Sequence, residues 1–135
     1  MRETQLKSPA PTYEQDPLAP ELISEERDHN GWVQHLRVPD ELPCWPGHFP
    51  ERAILPGVVQ LSWAVAAVQR WMQSTTPPTL IEALKFKTPV LPGQPLTLTV
   101  RKGSAVGSFV FEFRNADSIH SKGRLIFSEL GKRDP

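Results

Sequence analysis

Gly57-Val58-Val59-Gln60-Leu61-Ser62-Trp63-Ala64-Val65-Ala66-Ala67-Val68-Gln69-Arg70-Trp71-Met72-Gln73 holds no proline in a chain that has 15 of them. Within it Val58, Leu61, Ala64, Val65, Val68 and Met72 recur at helical spacing, which predicts an α-helix. Trp63, Ala66, Ala67 and Trp71 spread apolar surface around much of the remaining circumference. A helix that is apolar on nearly every side is enclosed by its surroundings, so the rest of the chain must supply a wrapping layer.

The segments on either side are strand-like. Downstream lie Leu80 to Lys87, Leu96 to Arg101, Ser108 to Arg114 and Ser118 to Phe127, parted by Pro92-Gly93, by Gly103 to Gly107 and by Asn115-Ala116-Asp117. Leu96, Leu98 and Val100 alternate with polar neighbours, as do Phe109, Phe111 and Phe113 with Val110, Glu112 and Arg114, which predicts an antiparallel meander with one buried face. Upstream, Glu21 to Glu26 and Trp32 to Val38 flank Asp28-His29-Asn30-Gly31, and Asn-Gly predicts a tight hairpin turn. The expected architecture is α+β, an antiparallel β-sheet wrapped around one long central helix. Residues 1–18, polar and bearing Pro9, Pro11 and Pro17, read as a tail; 19–130 form the domain and 131–135 a short C-terminal tail.

At 135 residues the chain fits one core, and its 15 basic and 15 acidic residues leave no net field to draw nucleic acid or an anionic membrane. The N-terminal residues lack the apolar segment of a secretory leader, and the most apolar stretch, from Ile54 to Met72, is interrupted by Pro56, Gly57, Gln60, Ser62, Gln69 and Arg70. A soluble cytoplasmic protein is expected. The lone Cys44 has no partner for an internal disulfide and none at metal-ligand spacing, so no metal is expected.

Between Pro39 and Pro56 five prolines make a stiff irregular loop, and His48 sits within it, nine residues before Gly57. Histidine exchanges a proton near neutral pH, and a braced loop holds it in one orientation. The first helical turn offers unpaired N–H groups and the positive end of the macrodipole, suited to an oxygen gaining negative charge. Glycine at position 57 lets a ligand approach that backbone closely.

Gly47-His48-Phe49-Pro50, then Ile54-Leu55-Pro56-Gly57-Val58, then Phe86-Lys87-Thr88-Pro89-Val90-Leu91-Pro92-Gly93 resembles the signature of the 3-hydroxyacyl-acyl-carrier-protein dehydratases of the FabZ and FabA type. Leu55-Pro56-Gly57-Val58-Val59-Gln60-Leu61 followed by Trp63 is similar to the ApeI-like branch, associated with aryl-polyene synthesis. The resemblance implies a hot-dog fold, no cofactor, an acyl-carrier protein as partner, and a homodimer or heterodimer with an acyl tunnel at the subunit boundary. It implies that His48 is the base that removes the C2 proton, that the Gly57 N–H holds the thioester carbonyl, and that Phe49, Pro56 and Val58 lie against the substrate.

One position departs from the pattern. Fourteen residues after the histidine the family places Glu or Asp, which helps hydroxide leave as water; here that residue is Ser62. Serine can orient a water or a substrate hydroxyl but lacks a comparably acidic proton. The expected activity is therefore dehydration of a 3-hydroxyacyl thioester to a trans-2-enoyl product, attenuated at Ser62. The alternatives are a non-catalytic acyl-binding subunit partnering an active homologue, and a hot-dog thioesterase. Glu51, three residues after His48 where the family usually has a small residue, is the alternative source of a carboxylate. His29, His35 and His120 read as solvent-facing or satisfied core side chains, Trp45 and Trp63 as core or channel wall, and Lys85, Lys87, Arg101 and Lys102 as a solvated face or a carrier-protein contact.

Overall fold

The computed structural model describes residues 18–41 and 54–128. Two strands come first, β1 (Glu21–Asp28) and β2 (Gly31–Arg37), then one helix, α1 (Gly57–Met72). Four strands follow: β3 (Leu80–Phe86), β4 (Pro95–Lys102), β5 (Ser108–Asn115) and β6 (Ser118–Ile126). All pair antiparallel in one six-stranded sheet of order β1-β2-β4-β5-β6-β3. Expected and observed elements agree closely, but the downstream strands are not one meander. β3 crosses to the far edge and pairs with β6, while β4 pairs with β2. Alternation predicts a strand and its buried face; it carries no information on which neighbour the strand chooses.

One face of the sheet holds the core. Leu96, Leu98 and Val100 of β4 and Phe109, Phe111 and Phe113 of β5 are buried, and meet Val59, Trp63, Ala64, Ala67 and Val68 of the helix. Trp63 is fully buried, edge-on to Phe113 at 6.5 Å between ring centroids, and its indole N–H donates to the Leu18 carbonyl oxygen, so it fills core. Trp71 stacks obliquely on Trp32, 4.7 Å between centroids, and anchors the C-terminal end of the helix. The helix ends at Met72 because Gln73 turns left-handed, with φ 55° and ψ 50°.

Of the sixteen residues of α1 only Val58, at 71%, and Ser62 are exposed, so the helix is enclosed except for a strip on its N-terminal half. One expectation is corrected here. The β1–β2 turn does not use Asn30-Gly31 as its central pair. Asp28 pairs with Gly31, His29 and Asn30 form the loop, and neither Asn30 nor Gly31 has positive φ. The Asp28 carboxylate accepts the N–H groups of Asn30 (2.8 Å) and Gly31 (3.1 Å) and closes the turn. Gly31 is needed as a strand residue, because a β-carbon there would collide with the Val100 carbonyl oxygen of β4. Among the described residues no helix is long and apolar enough to cross a membrane.

Candidate active site

The helix begins without a capping side chain. Pro56 stands at the N-cap in extended conformation, and its carbonyl oxygen accepts the N–H groups of Val59 (3.1 Å) and Gln60 (3.2 Å). The N–H groups of Gly57 and Val58 find no acceptor among the described residues. These two donors, at the positive end of sixteen residues of helix, are positioned for an oxygen that carries negative charge.

Beside them opens a mostly apolar cleft of about 400 Å³, lined by Ile54, Leu55, Gly57, Gln60, Phe86, Lys87, Thr88 and Pro89. Its walls are tied together by backbone bonds. The Leu55 N–H donates to the Val90 carbonyl oxygen at 2.8 Å, and the N–H groups of Lys87 and Thr88 both donate to the His120 carbonyl oxygen, at 2.8 and 3.3 Å. The tip of the Phe86 ring, 50% exposed, abuts Gly57: a β-carbon at that position would be 2.7 to 3.0 Å from Cζ, Cε1 and Cε2. A larger residue here would have to push the ring tip aside.

Gln60, 4% exposed, is the buried polar side chain of the cleft wall. Its Nε2 donates to the Leu55 carbonyl oxygen at 3.2 Å, and its Oε1 accepts from the Ser121 hydroxyl at 2.8 Å. A main-chain carbonyl only accepts, so this contact fixes which end of the carboxamide is nitrogen.

Of the residues singled out from sequence, Pro56 and Gly57 stand at the helix mouth, and Gly57 lines the cleft. Val58 points to solvent instead of into the cleft of the single chain. Ser62 is exposed on the same open side, and its Oγ donates to the Val59 carbonyl oxygen at 2.7 Å. His48, Phe49, Trp45, Cys44 and Glu51 lie outside the described residues. Among the other histidines, His120 is 1% exposed with Nδ1 donating to the Thr88 carbonyl oxygen at 3.0 Å, a core side chain, and His35 lies 3.5 Å from Glu26 on the surface. Lys85, Lys87, Arg101 and Lys102 are exposed. Sequence reasoning assigned no role to Gln60, Ser121 or Phe86. The signal for Gln60 was present: a carboxamide three residues after Gly57, hence on the same face of the helix, amid apolar neighbours.

A long helix held against a six-stranded antiparallel sheet in this strand order defines the hot-dog fold. A family model described as ApeI-like, ApeI dehydratase, matches residues 24–124, and the chain belongs to that family. It is 34% identical over 68 residues to the 3-hydroxyacyl-[acyl-carrier-protein] dehydratase FabZ of Bradyrhizobium sp. (strain ORS 278), a stretch that covers 44% of this chain and 45% of the relative. The chain thus matches about half the length of that curated relative. In structure it is similar to a chain of the dehydratase heterocomplex ApeI:P from Xenorhabdus doucetiae, with a TM-score of 0.71 and 27% identity over 79% of this chain and 96% of that one. It is also similar to an uncharacterized protein from Erwinia carotovora subsp. atroseptica, with a TM-score of 0.61 and 26% identity over 79% of this chain and 94% of that one.

Proposed function

We propose that the chain is a hydro-lyase that dehydrates a 3-hydroxyacyl thioester carried on acyl-carrier protein, giving the trans-2-enoyl thioester. His48 removes the proton from C2. The negative charge moves onto the thioester oxygen, which the Gly57 N–H holds, with Phe49 and Pro56 against the acyl chain and Val58, on the open strip of the helix, reaching it where a second subunit closes the tunnel. The C3–O bond then breaks and hydroxide leaves as water, taking the proton that His48 removed, relayed through a water that Ser62 orients in place of a carboxylate. The observation that carries this reading is the pair of N–H groups at Gly57 and Val58, without acceptors among the described residues, beside an apolar cleft. Family membership and the likeness to FabZ support it.

The open side of α1 and the β3 edge favour a working unit of two hot-dog subunits, a second copy or a homologue. The heterocomplex of the ApeI:P relative is consistent with that assembly. One observation favours a second reading, an acyl-binding subunit of little intrinsic activity: the Ser62 hydroxyl is turned back onto its own helix. Purified chain incubated with a 3-hydroxyacyl-carrier protein forms the enoyl product on the first reading, and His48→Ala abolishes it. Binding of the acyl-carrier protein with no product, from wild type and Ser62→Glu alike, leaves only the binding role. Release of free thiol would instead mark a thioesterase.

A further inference from the structure

We infer that Gln60 is a positioning residue for the dehydration, acting through the main chain that presents the Gly57 N–H; the inference rests on the proposed thioester chemistry and deepens it. Pro56 brings no side-chain cap, so the turn into the helix needs another restraint. Gln60 supplies it from inside, reaching back from the first turn to the carbonyl of Leu55, the residue before the cap. Leu55 is itself bound through its N–H to the Val90 carbonyl oxygen, and the Gln60 carboxamide is held by Ser121 of β6. The chain from β6 through Ser121, Gln60 and Leu55 to Val90 therefore fixes the Leu55-Pro56-Gly57 peptide planes against two separate parts of the fold. Ser121 is fully buried and Gln60 nearly so, which makes each bond costly to leave unmade.

The same contact has an electrostatic result. Leu55 lines the cleft beside Gly57. A bare carbonyl oxygen there would oppose negative charge building on the thioester oxygen a few ångströms away. Capped by the Gln60 Nε2–H group, the Leu55 carbonyl has its charge partly neutralised, and the cleft mouth presents donors to the developing enolate. The effect grows as charge develops, so it belongs to the transition state more than to the bound substrate.

The test uses the full chain with a 3-hydroxyacyl pantetheine thioester labelled with ¹³C at the carbonyl. Gln60→Leu removes both bonds, Gln60→Glu keeps the size but sets an acceptor against the Leu55 carbonyl, and Ser121→Ala removes only the orienting donor. The latter two remain readable if the first does not fold. For Gln60→Leu and Gln60→Glu, kcat is expected to fall about tenfold or more with KM within about threefold. Ser121→Ala should fall less. In a His48→Ala background, where the thioester is not consumed, binding should lower the carbonyl stretching frequency, and the Gln60 substitutions should remove at least half of that shift. A shift that is the same with and without Gln60 overturns the inference alone. A His48→Ala protein that binds no thioester overturns the dehydratase reading, and the inference with it.

Discussion

The Ser62 hydroxyl donates to the Val59 carbonyl oxygen, 2.7 Å away and three residues back on the same helix. Its single hydrogen is committed to the backbone, and only lone pairs remain for a ligand. Ser62→Glu restores an acid at this position, on an exposed part of the helix with room for a longer side chain. The expected outcome is a gain in dehydration rate on the order of a hundredfold, measured as enoyl product formed per minute from a carrier-bound substrate. An unchanged rate would show that the leaving hydroxide gets its proton elsewhere.

Gly57→Ala places a methyl group 2.7 to 3.0 Å from the Phe86 ring. The half-exposed ring can swing away, so the fold should lose only about 1 kcal/mol, but the displaced ring then fills the cleft. Turnover should fall at least tenfold, on the scale of a misplaced catalytic contact. Adding Phe86→Ala to Gly57→Ala should recover part of the loss. If the double variant is no better than Gly57→Ala alone, the ring is not what closes the cleft.

Gly31→Ala meets backbone, which cannot swing away: the Val100 carbonyl oxygen and the Arg101 α-carbon. Strands β2 and β4 must part locally, at a cost of about 3 kcal/mol. Asn30→Ala, in the turn but at negative φ, should cost well under 1 kcal/mol. Urea denaturation of the two variants should order them accordingly, and equal midpoints would contradict the strand role of Gly31.

The Asp28 carboxylate is held below the usual carboxylate range, first by the Asn30 N–H it accepts and then by the Gly31 N–H, with His29 and Arg101 adding attraction. A carboxyl group whose folded pKa is depressed stabilises the fold above its unfolded pKa, and that contribution is lost as pH falls through the folded one. Hairpin stability should therefore decline on acidification below the normal aspartate range. Asp28→Ala should remove that part of the pH dependence, read from thermal midpoints across the acid range.

The helix, β4 and β5 were legible because each rests on a local period, 3.6 for Gly57 to Met72 and two for Leu96 to Val100 and Phe109 to Phe113. The other strands were legible from the turns that bound them. The partner of β3 was not, since pairing with β6 is a long-range choice that no local pattern encodes. Asn30-Gly31 misled for a related reason. Its glycine answers to a neighbouring strand distant in sequence, not to the turn. At the site, Gly57 announced itself through proline and helix punctuation, whereas Gln60 became meaningful only when the fold brought Ser121 to its carboxamide.

The β3 rim ends the sheet with Leu80, Ile81, Leu84 and Phe86 all exposed, and its outer hydrogen-bonding edge has no strand beside it among the described residues. Such a border is adhesive, recruiting any strand of matching length that drifts near. This margin is where self-association of the lone polypeptide is expected to start, and Ile81→Lys should raise the concentration at which light scattering first appears.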